Sequence, residues 1–379
     1  MPDFNEINLY IDPYFSDEML EMAHYAPTQL GAHVTTNLSE ESIRRADIVL
    51  LGVKDIRGED EEKETSNGPD TVRQTLYNMH YWHEGITIAD LGNIKTGRNV
   101  GDTRAAMRAV LQELYKVNKN VVIIGGSHDW TYTQYEAYKV NNFLIEASVI
   151  DMLIDLEEGE EMNHRNYLMP MLTGQPNYLK HFNHIGFQSY YVNPELLQTL
   201  DKLRFDCYRL GVVRSDLHVV EPALRNSHML SIDLNAVSYA YAPVNRKGSP
   251  NGFTGDEICM LTRFAGMSDK MNSLGIYGYD SDYDEHGKTA QLVAQMIWYY
   301  IDGLYARSKE ASLADREDFL EFYVHMNGDN ILFMKSKRTG RWWMQITETE
   351  FAPCTYEDYV IASNNDIPDR WLRAQERMA

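Results

Sequence analysis

The 379-residue chain has little cysteine: Cys207, Cys259 and Cys354 lie far apart, with no CxxC pair. An odd, scattered set of three excludes a disulfide framework and a cysteine zinc site, and favours a reducing compartment. Long apolar runs are missing too. No stretch approaches the roughly 20 residues that cross a bilayer. The opening MPDFNEINLY is polar and acidic, where a secretory leader is basic and then apolar. Positive charge is scarce, with 35 Lys and Arg against 56 Asp and Glu and a formal net charge of −21. A general binder of nucleic acid or of an anionic membrane needs the opposite footprint. Internal repeats, low-complexity tracts and His-rich runs are absent, the 12 histidines being dispersed. These absences predict a cytoplasmic protein with neither a membrane nor a nucleic-acid partner.

What is present is a hydrophobic fraction of 44%, enough for a sizeable core and too high for global disorder. Short β-branched runs occur at 47–53, 86–92, 121–126, 145–151, 184–189, 207–213, 228–234 and 273–279. Helix-period segments separate them, at 69–82, 101–118, 130–143, 193–204, 255–271 and 288–307. Alternation of buried strands with helices predicts a mostly parallel sheet covered by helices. An open sheet and a closed barrel both fit that count. The acidic stretch 57–70 reads as a solvated surface loop. From Lys309 the pattern changes to two or three short antiparallel strands, with turn signals at Asn327-Gly328 and Thr339-Gly340, followed by a polar, partly helical tail. The predicted organisation is an N-terminal extension at 1–46 packed on a main domain at 47–308, with an appended subdomain at 309–379. The aromatics of that subdomain, Phe322, Tyr323, Trp342, Trp343 and Trp371, read as packing residues or as a partner surface.

Ligands of open parallel sheets bind beyond the carboxyl ends of the strands. Three apolar runs end in groups of the right chemistry. VVIIGG is followed by Ser127, His128 and Asp129; the run at 145–151 ends in Asp151, with Asp155 four residues on; and HMLSIDL carries Asp233, with Asn235 on the same face. Carboxylates with an imidazole suit manganese or another first-row divalent ion. Converging aspartates repel one another, so without a cation at least one retains a proton. Singly, each element is also what a helix cap or tight turn looks like.

Order and spacing carry more information. GGSHD (125–129), DMLID (151–155), SIDLNAVSY (231–239) and GSPNGFT (248–254) resemble, in sequence, the GGDHS, DAHxD, SxDxDxxDP and TGTP–GGLT motifs of the arginase or ureohydrolase family. GVKDIRG, GPDTVR and ADLGN resemble its upstream segments, and GIYGYD with TAQLVAQMIW its downstream one, so the correspondence spans about 47–305. The formiminoglutamase branch is the subgroup it most resembles. The resemblance implies a three-layer α/β/α fold around a mostly parallel eight-stranded sheet, here with a small C-terminal β-rich addition. It also implies two manganese ions at the carboxyl edge and hydrolysis of a guanidinium or amidine carbon. Carried over position by position, His128, Asp151, Asp155 and Asp233 keep ligand types and complete one ion's protein set. Leu153 replaces a ligand His, and Asn235 replaces a ligand Asp. Gly278 aligns with a substrate-holding Glu, Ser238 with an Asp, and Gln188 with a frequent Arg. Both ligand losses fall on the second ion.

Losing the second ion removes charge that lowers the pKa of bound water and stabilises the transition state, and each altered ligand is expected to cost on the order of a hundredfold in rate. The expectation is therefore a family member with a degenerate site, impaired in catalysis and acting by binding or scaffolding, with at most one divalent ion per chain or none. The alternative is a hydrolase of C–N bonds in linear amidines working with one ion, using Asp155 as a catalytic group and His164 as a proton shuttle. Arg165 is then a candidate carboxylate clamp. Glu157, Glu158, Glu160 and Glu161 crowd the same loop and favour a small cationic ligand over an anionic one. A protein partner and a homo-oligomer are the remaining expectations.

Overall fold

The computed structural model describes residues 7–14, 24–36, 39–59, 62–243, 248–326 and 328–376. Two short strands come first, β1 (Ile11–Asp12) and β2 (Val34–Thr35). Eight longer ones follow: β3 (Ile48–Val53), β4 (Ile88–Ile94), β5 (Asn120–Ile124), β6 (Ile145–Ile150), β7 (Leu179–Phe187), β8 (Asp206–Arg209), β9 (Met229–Asp233) and β10 (Ser273–Tyr277). They form one open sheet in the order β1-β4-β3-β5-β10-β9-β6-β7-β8, with β2 beside β4. Only the β1–β4 pairing is antiparallel among them. The eight expected strands are present, and the N-terminal segment adds β1 and β2. One expectation is corrected: the run at 207–213 is a strand only to Arg209, after which Leu210–Ser215 is helical. An apolar run cannot by itself separate a strand from a buried helical turn.

β3 shows why the runs become buried strands. All its residues are buried, and alternate side chains feed opposite cores: Ile48 and Leu50 one, Val49, Leu51 and Val53 the other. Period-two alternation of apolar residues on both faces demands cover on both faces. Helices Gly68–Tyr77, Gly255–Gly266 and Lys288–Arg307 contribute to the first core; Val100–Lys116 and Trp130–Val140 contribute to the second. Three layers result.

The motif GPDTVR has a structural reason. Arg73 is fully buried and donates to both oxygens of Asp90 (2.7 and 2.9 Å), to Gly92 O (2.7 Å) and to Asn93 Oδ1 (2.7 Å). Tyr77 OH also donates to Asp90. One guanidinium thus fastens a helix to β4.

The C-terminal segment forms a second sheet, β11 (Phe319–Met326), β12 (Asp329–Ser336), β13 (Trp342–Gln345) and β14 (Phe351–Cys354), antiparallel and in chain order. The fourth strand exceeds the expected two or three because Pro353 sits in it, and proline reads as a break except on an edge strand, where β14 lies. Asn327 lies outside the described residues. Helices Tyr356–Ser363 and Asp369–Glu376 follow, and the unit has its own core, including Val324, Met326, Phe333, Trp342 and Met344. Arg373 reaches Asp206 (2.5 Å), Arg370 reaches Val219 O (3.1 Å), and Arg225 Nη2 reaches Trp342 O (2.9 Å). A cavity of about 1230 Å³ lies at this junction, lined by residues from the starts of β6, β7 and β8. Among the described residues, no helix is long and apolar enough to cross a membrane.

Arg73→Ala should lower the unfolding free energy by roughly 3–5 kcal/mol, because it leaves Asp90 buried without its cation. Urea unfolding of the two proteins measures this, and a loss within about 0.5 kcal/mol would show that the pair is dispensable.

Candidate functional site

Four neighbouring strands, β5, β10, β9 and β6, end at one edge of the sheet. The register sets Ile276 level with Ile124 and Ile232, and Ile150 level with Ile232. Asp151 and Asp233, one residue further on, therefore emerge side by side. The chain leaves β5 through Gly125 and Gly126, both at positive φ (84° and 82°), which lets it turn His128 back over the strand ends. Gly278 N donates to Gly126 O at 2.9 Å and holds that turn against β10.

His128 Nδ1 faces one oxygen of each acid: Asp155 at 3.2 Å, Asp151 at 3.4 Å and Asp233 at 3.5 Å. All four residues are buried, none more than 4% exposed. His128 Nε2 lies 3.1 Å from Ser231 Oγ and 3.3 Å from Tyr167 OH, so the other side of the ring is anchored too. Burial pulls the His128 pKa down. Its bonds to Asp151 and Asp155, with the charge of Asp233, outweigh that and hold it well above the ordinary value. Burial pushes Asp151 up to about 6, with the Asp155 charge adding to it. Burial also raises Asp155 and Asp233. The cluster thus favours retention of protons when no cation is there to offset its charge.

Oxygen and imidazole donors of this kind fit a divalent ion. Ligand atoms of His128, Asp151 and Asp233 lie within 4.8 Å of one another. Groups of this chemistry gathered at that spacing could hold a divalent ion once they draw in slightly around it.

The altered positions surround these acids. Leu153 N donates to Asp151 Oδ1 at 3.2 Å, but its side chain has no donor atom. Asn235 donates twice to Asp233, from N to Oδ1 and from Nδ2 to Oδ2, both at 2.9 Å. Asn235 Oδ1 is buried without a hydrogen-bond partner. Gly278 has φ +79°, and a Cβ there would stand 2.7 Å from Asp233 Oδ1. A glutamate therefore cannot occupy this backbone without displacing the aspartate. Ser238 Oγ donates to Pro250 O (2.9 Å). Gln188 donates to Asn251 O (2.9 Å) and accepts from Ser249 (3.0 Å) and Tyr190.

His164 does not join the quartet. Its backbone N (3.2 Å) and Nδ1 (2.8 Å) both meet Gly58 O, and Arg165 Nε lies 3.4 Å from its Nε2. It ties the loop after β6 to the loop after β3. Lys63 of that second loop pairs with Asp280 (2.6 Å), so the stretch 57–70 is partly docked rather than wholly solvated. Glu157, Glu158, Glu160 and Glu161 are exposed, and Arg165 pairs with Glu157 at 3.2 Å.

Sequence reasoning missed Ser231, Tyr167 and the Arg104–Asp129 pair. Ser231 had a signal, standing two residues before Asp233 on the same strand face. It also missed His184, fully buried on β7, whose ring nitrogens lack a well-formed hydrogen bond and whose pKa burial pushes down to about 4 against the opposing pull of Asp151 and the Leu153 backbone.

A family model described as Arginase family matches residues 46–302. The chain belongs to the arginase family. Among curated relatives, the formimidoylglutamase of Macrococcus caseolyticus is 25% identical over 300 residues, covering 74% of this chain and 91% of that protein. The Staphylococcus haemolyticus formimidoylglutamase is 24% identical over 253 residues, 62% of this chain and 78% of that protein. Solved structures share the fold. Trypanosoma cruzi formiminoglutamase, solved with manganese, superposes with a TM-score of 0.66 at 14% identity, covering 75% of this chain and 100% of that one. Bacillus subtilis formimidoylglutamase gives 0.66 at 14%, covering 74% and 94%. The family member described here is thus formimidoylglutamase-like and has the arginase fold.

Two outcomes follow from this geometry. Gly278→Glu should lower the melting temperature, since the residue combines positive φ with a close carboxylate; unchanged thermal unfolding would mean that the backbone there adapts freely. His184 titrates below its unfolded value of about 6.5. The folded state therefore binds fewer protons than the unfolded one between about pH 6.5 and 4, and stability falls as pH drops through that window. The full shift amounts to roughly 3 kcal/mol. His184→Phe should flatten the pH dependence of urea unfolding over that range by a comparable amount, and an identical slope would refute the assignment.

Proposed function

We propose that the protein hydrolyses a C–N bond of a linear amidine, in the manner of a formimidoylglutamase or guanidino hydrolase. One divalent cation, manganese or another first-row ion, is held by His128, Asp151, Asp155 and Asp233. The observation that carries this is the convergence of three carboxylate oxygens on His128 Nδ1 within 3.5 Å. When bound, the cation supplies Lewis-acid charge and lowers the pKa of water.

The chain's own residues do the rest. Ser231 and Tyr167 fix the imidazole plane from behind. Asn235 orients Asp233 through two hydrogen bonds. Asp155, buried and already bonded to His128, is the group placed to accept a proton. His164 is not given that role, because its Nδ1 is spent on Gly58 O. A second ion is disfavoured by Leu153, which offers no ligand atom, and by Asn235, a neutral amide whose Nδ2 donates to Asp233. The exposed glutamates of 157–161 favour a cationic substrate over an anionic one by simple repulsion.

A second reading, a catalytically silent member acting by binding, is favoured by those same substitutions. Metal analysis of protein purified without chelator, followed by turnover assays with added manganese, tests both. The expected result is about one ion per chain and faster turnover of agmatine or guanidinobutyrate than of formiminoglutamate, abolished in Asp233→Ala. Two ions per chain in the unmodified protein would refute the single-ion centre. An ion-loaded protein inert on every amidine would leave the silent reading. Leu153→His with Asn235→Asp should raise metal uptake, and no gain would count against the assigned positions.

A further inference from the structure

Residues 319–326 lie beyond the part of the chain that the family accounts for. Among the described residues, the strand they form, β11, has a neighbour on one side only. It pairs with β12 without interruption over eight residues, Phe319 with Ser336 through Met326 with Asp329. Edge strands of natural proteins are usually kept short, bulged, or interrupted by proline or lysine, because an open edge recruits another strand. β11 is long, unbulged and free of proline and lysine, and the single acid it carries is Glu321. Its sequence is FLEFYVHM.

The face and the backbone both point to what covers it. Phe322, Val324 and Met326 pack inward on the small core, whereas Glu321, Tyr323 and His325 line the opposite, exposed face. Tyr323 is 68% exposed, while Trp342 and Trp343 of the same unit are buried. Leu332 N donates to Gln345 Oε1, on the β13 side (3.3 Å), so it turns away from its partner Tyr323. Tyr323–Leu332 is therefore a non-hydrogen-bonded pair, and the N–H and C=O of Tyr323 point out of the open edge, as do those of Glu321 and His325.

We infer that β11 pairs antiparallel with β11 of a second copy of this chain, with Tyr323 on the two-fold axis and Glu321 opposite His325 of the other copy. The register follows from charge. Moving the axis to Glu321 would oppose two glutamates, whereas an axis at Tyr323 opposes Glu321 and His325 twice. Within one copy these groups make only light contacts: Tyr323 OH donates to Glu321 (3.0 Å), Arg316 lies 3.5 Å from Glu321, and His325 Nδ1 lies 3.3 Å from Asn330 Oδ1. Three residue pairs centred on the axis then exchange roughly six backbone hydrogen bonds. The two four-stranded sheets become one continuous sheet.

The test uses the full chain and light scattering with sedimentation velocity over a dilution series. The unmodified protein is expected to dimerise. Tyr323→Pro, which removes an outward N–H and spares the β12 ladder, should yield a monomer with unchanged circular dichroism. His325→Glu should weaken the dimer by roughly tenfold or more through like-charge pairing with Glu321, Glu321→Lys should weaken it by removing the acid that faces His325, and the double variant should restore it. Under mild oxidation Tyr323→Cys should form an intermolecular disulfide, because hydrogen-bonded pairs have Cα atoms about 5.5 Å apart. His325→Cys alone should not. A monomer at every concentration, an oligomer indifferent to Tyr323→Pro, or cross-linking through position 325 in place of 323 would overturn the proposal.

Discussion

Three buried carboxylates meeting one imidazole is the constraint around which the rest of the molecule is arranged. Like charges at this distance, away from water, cannot all be ionised without a cation or shared protons. Sheet order creates the problem by placing β9 and β6 side by side with an aspartate at each tip, beside the turn that follows β5. Among the described residues, His128 is the imidazole that meets all three acids. Its own orientation depends on Ser231 and Tyr167, and its position depends on two glycines that turn the chain. Removing any support exposes the same electrostatic imbalance.

That imbalance also explains how the altered positions coexist with a stable fold. Asn235 donates two hydrogen bonds to Asp233 and so replaces part of what a second ion's charge would provide. The Leu153 backbone does the same for Asp151. Neutral donors offset an acid only partly, as the raised pKa of Asp151 shows. The acids therefore remain disposed toward a cation.

Much of this was legible from residues alone, for identifiable reasons. Buried parallel strands announce themselves as β-branched runs, and all eight long strands were found. β1 and β2 are too short to show any period, and β14 is masked by Pro353. The run at 207–213 stayed apolar while its backbone passed from strand to helix. At the site, Asp151, Asp155, Asp233 and His128 stand in runs of recognisable spacing. The roles of Tyr167 and Arg104 depend on contacts across loops, which spacing does not encode. His164 shows the same dependence: a loop histidine suggests chemistry, and the contact that holds its ring between two loops is invisible in spacing.

Gly278 makes one part of this arrangement hard to reverse. The missing side chain and the left-handed backbone support each other: without a Cβ the peptide can curl toward Asp233, and once curled it leaves no room for one. Reinstating an acid there requires Asp233 Oδ1 to move aside and the new residue to bear a left-handed backbone, so the cost falls on the site and on the fold at once.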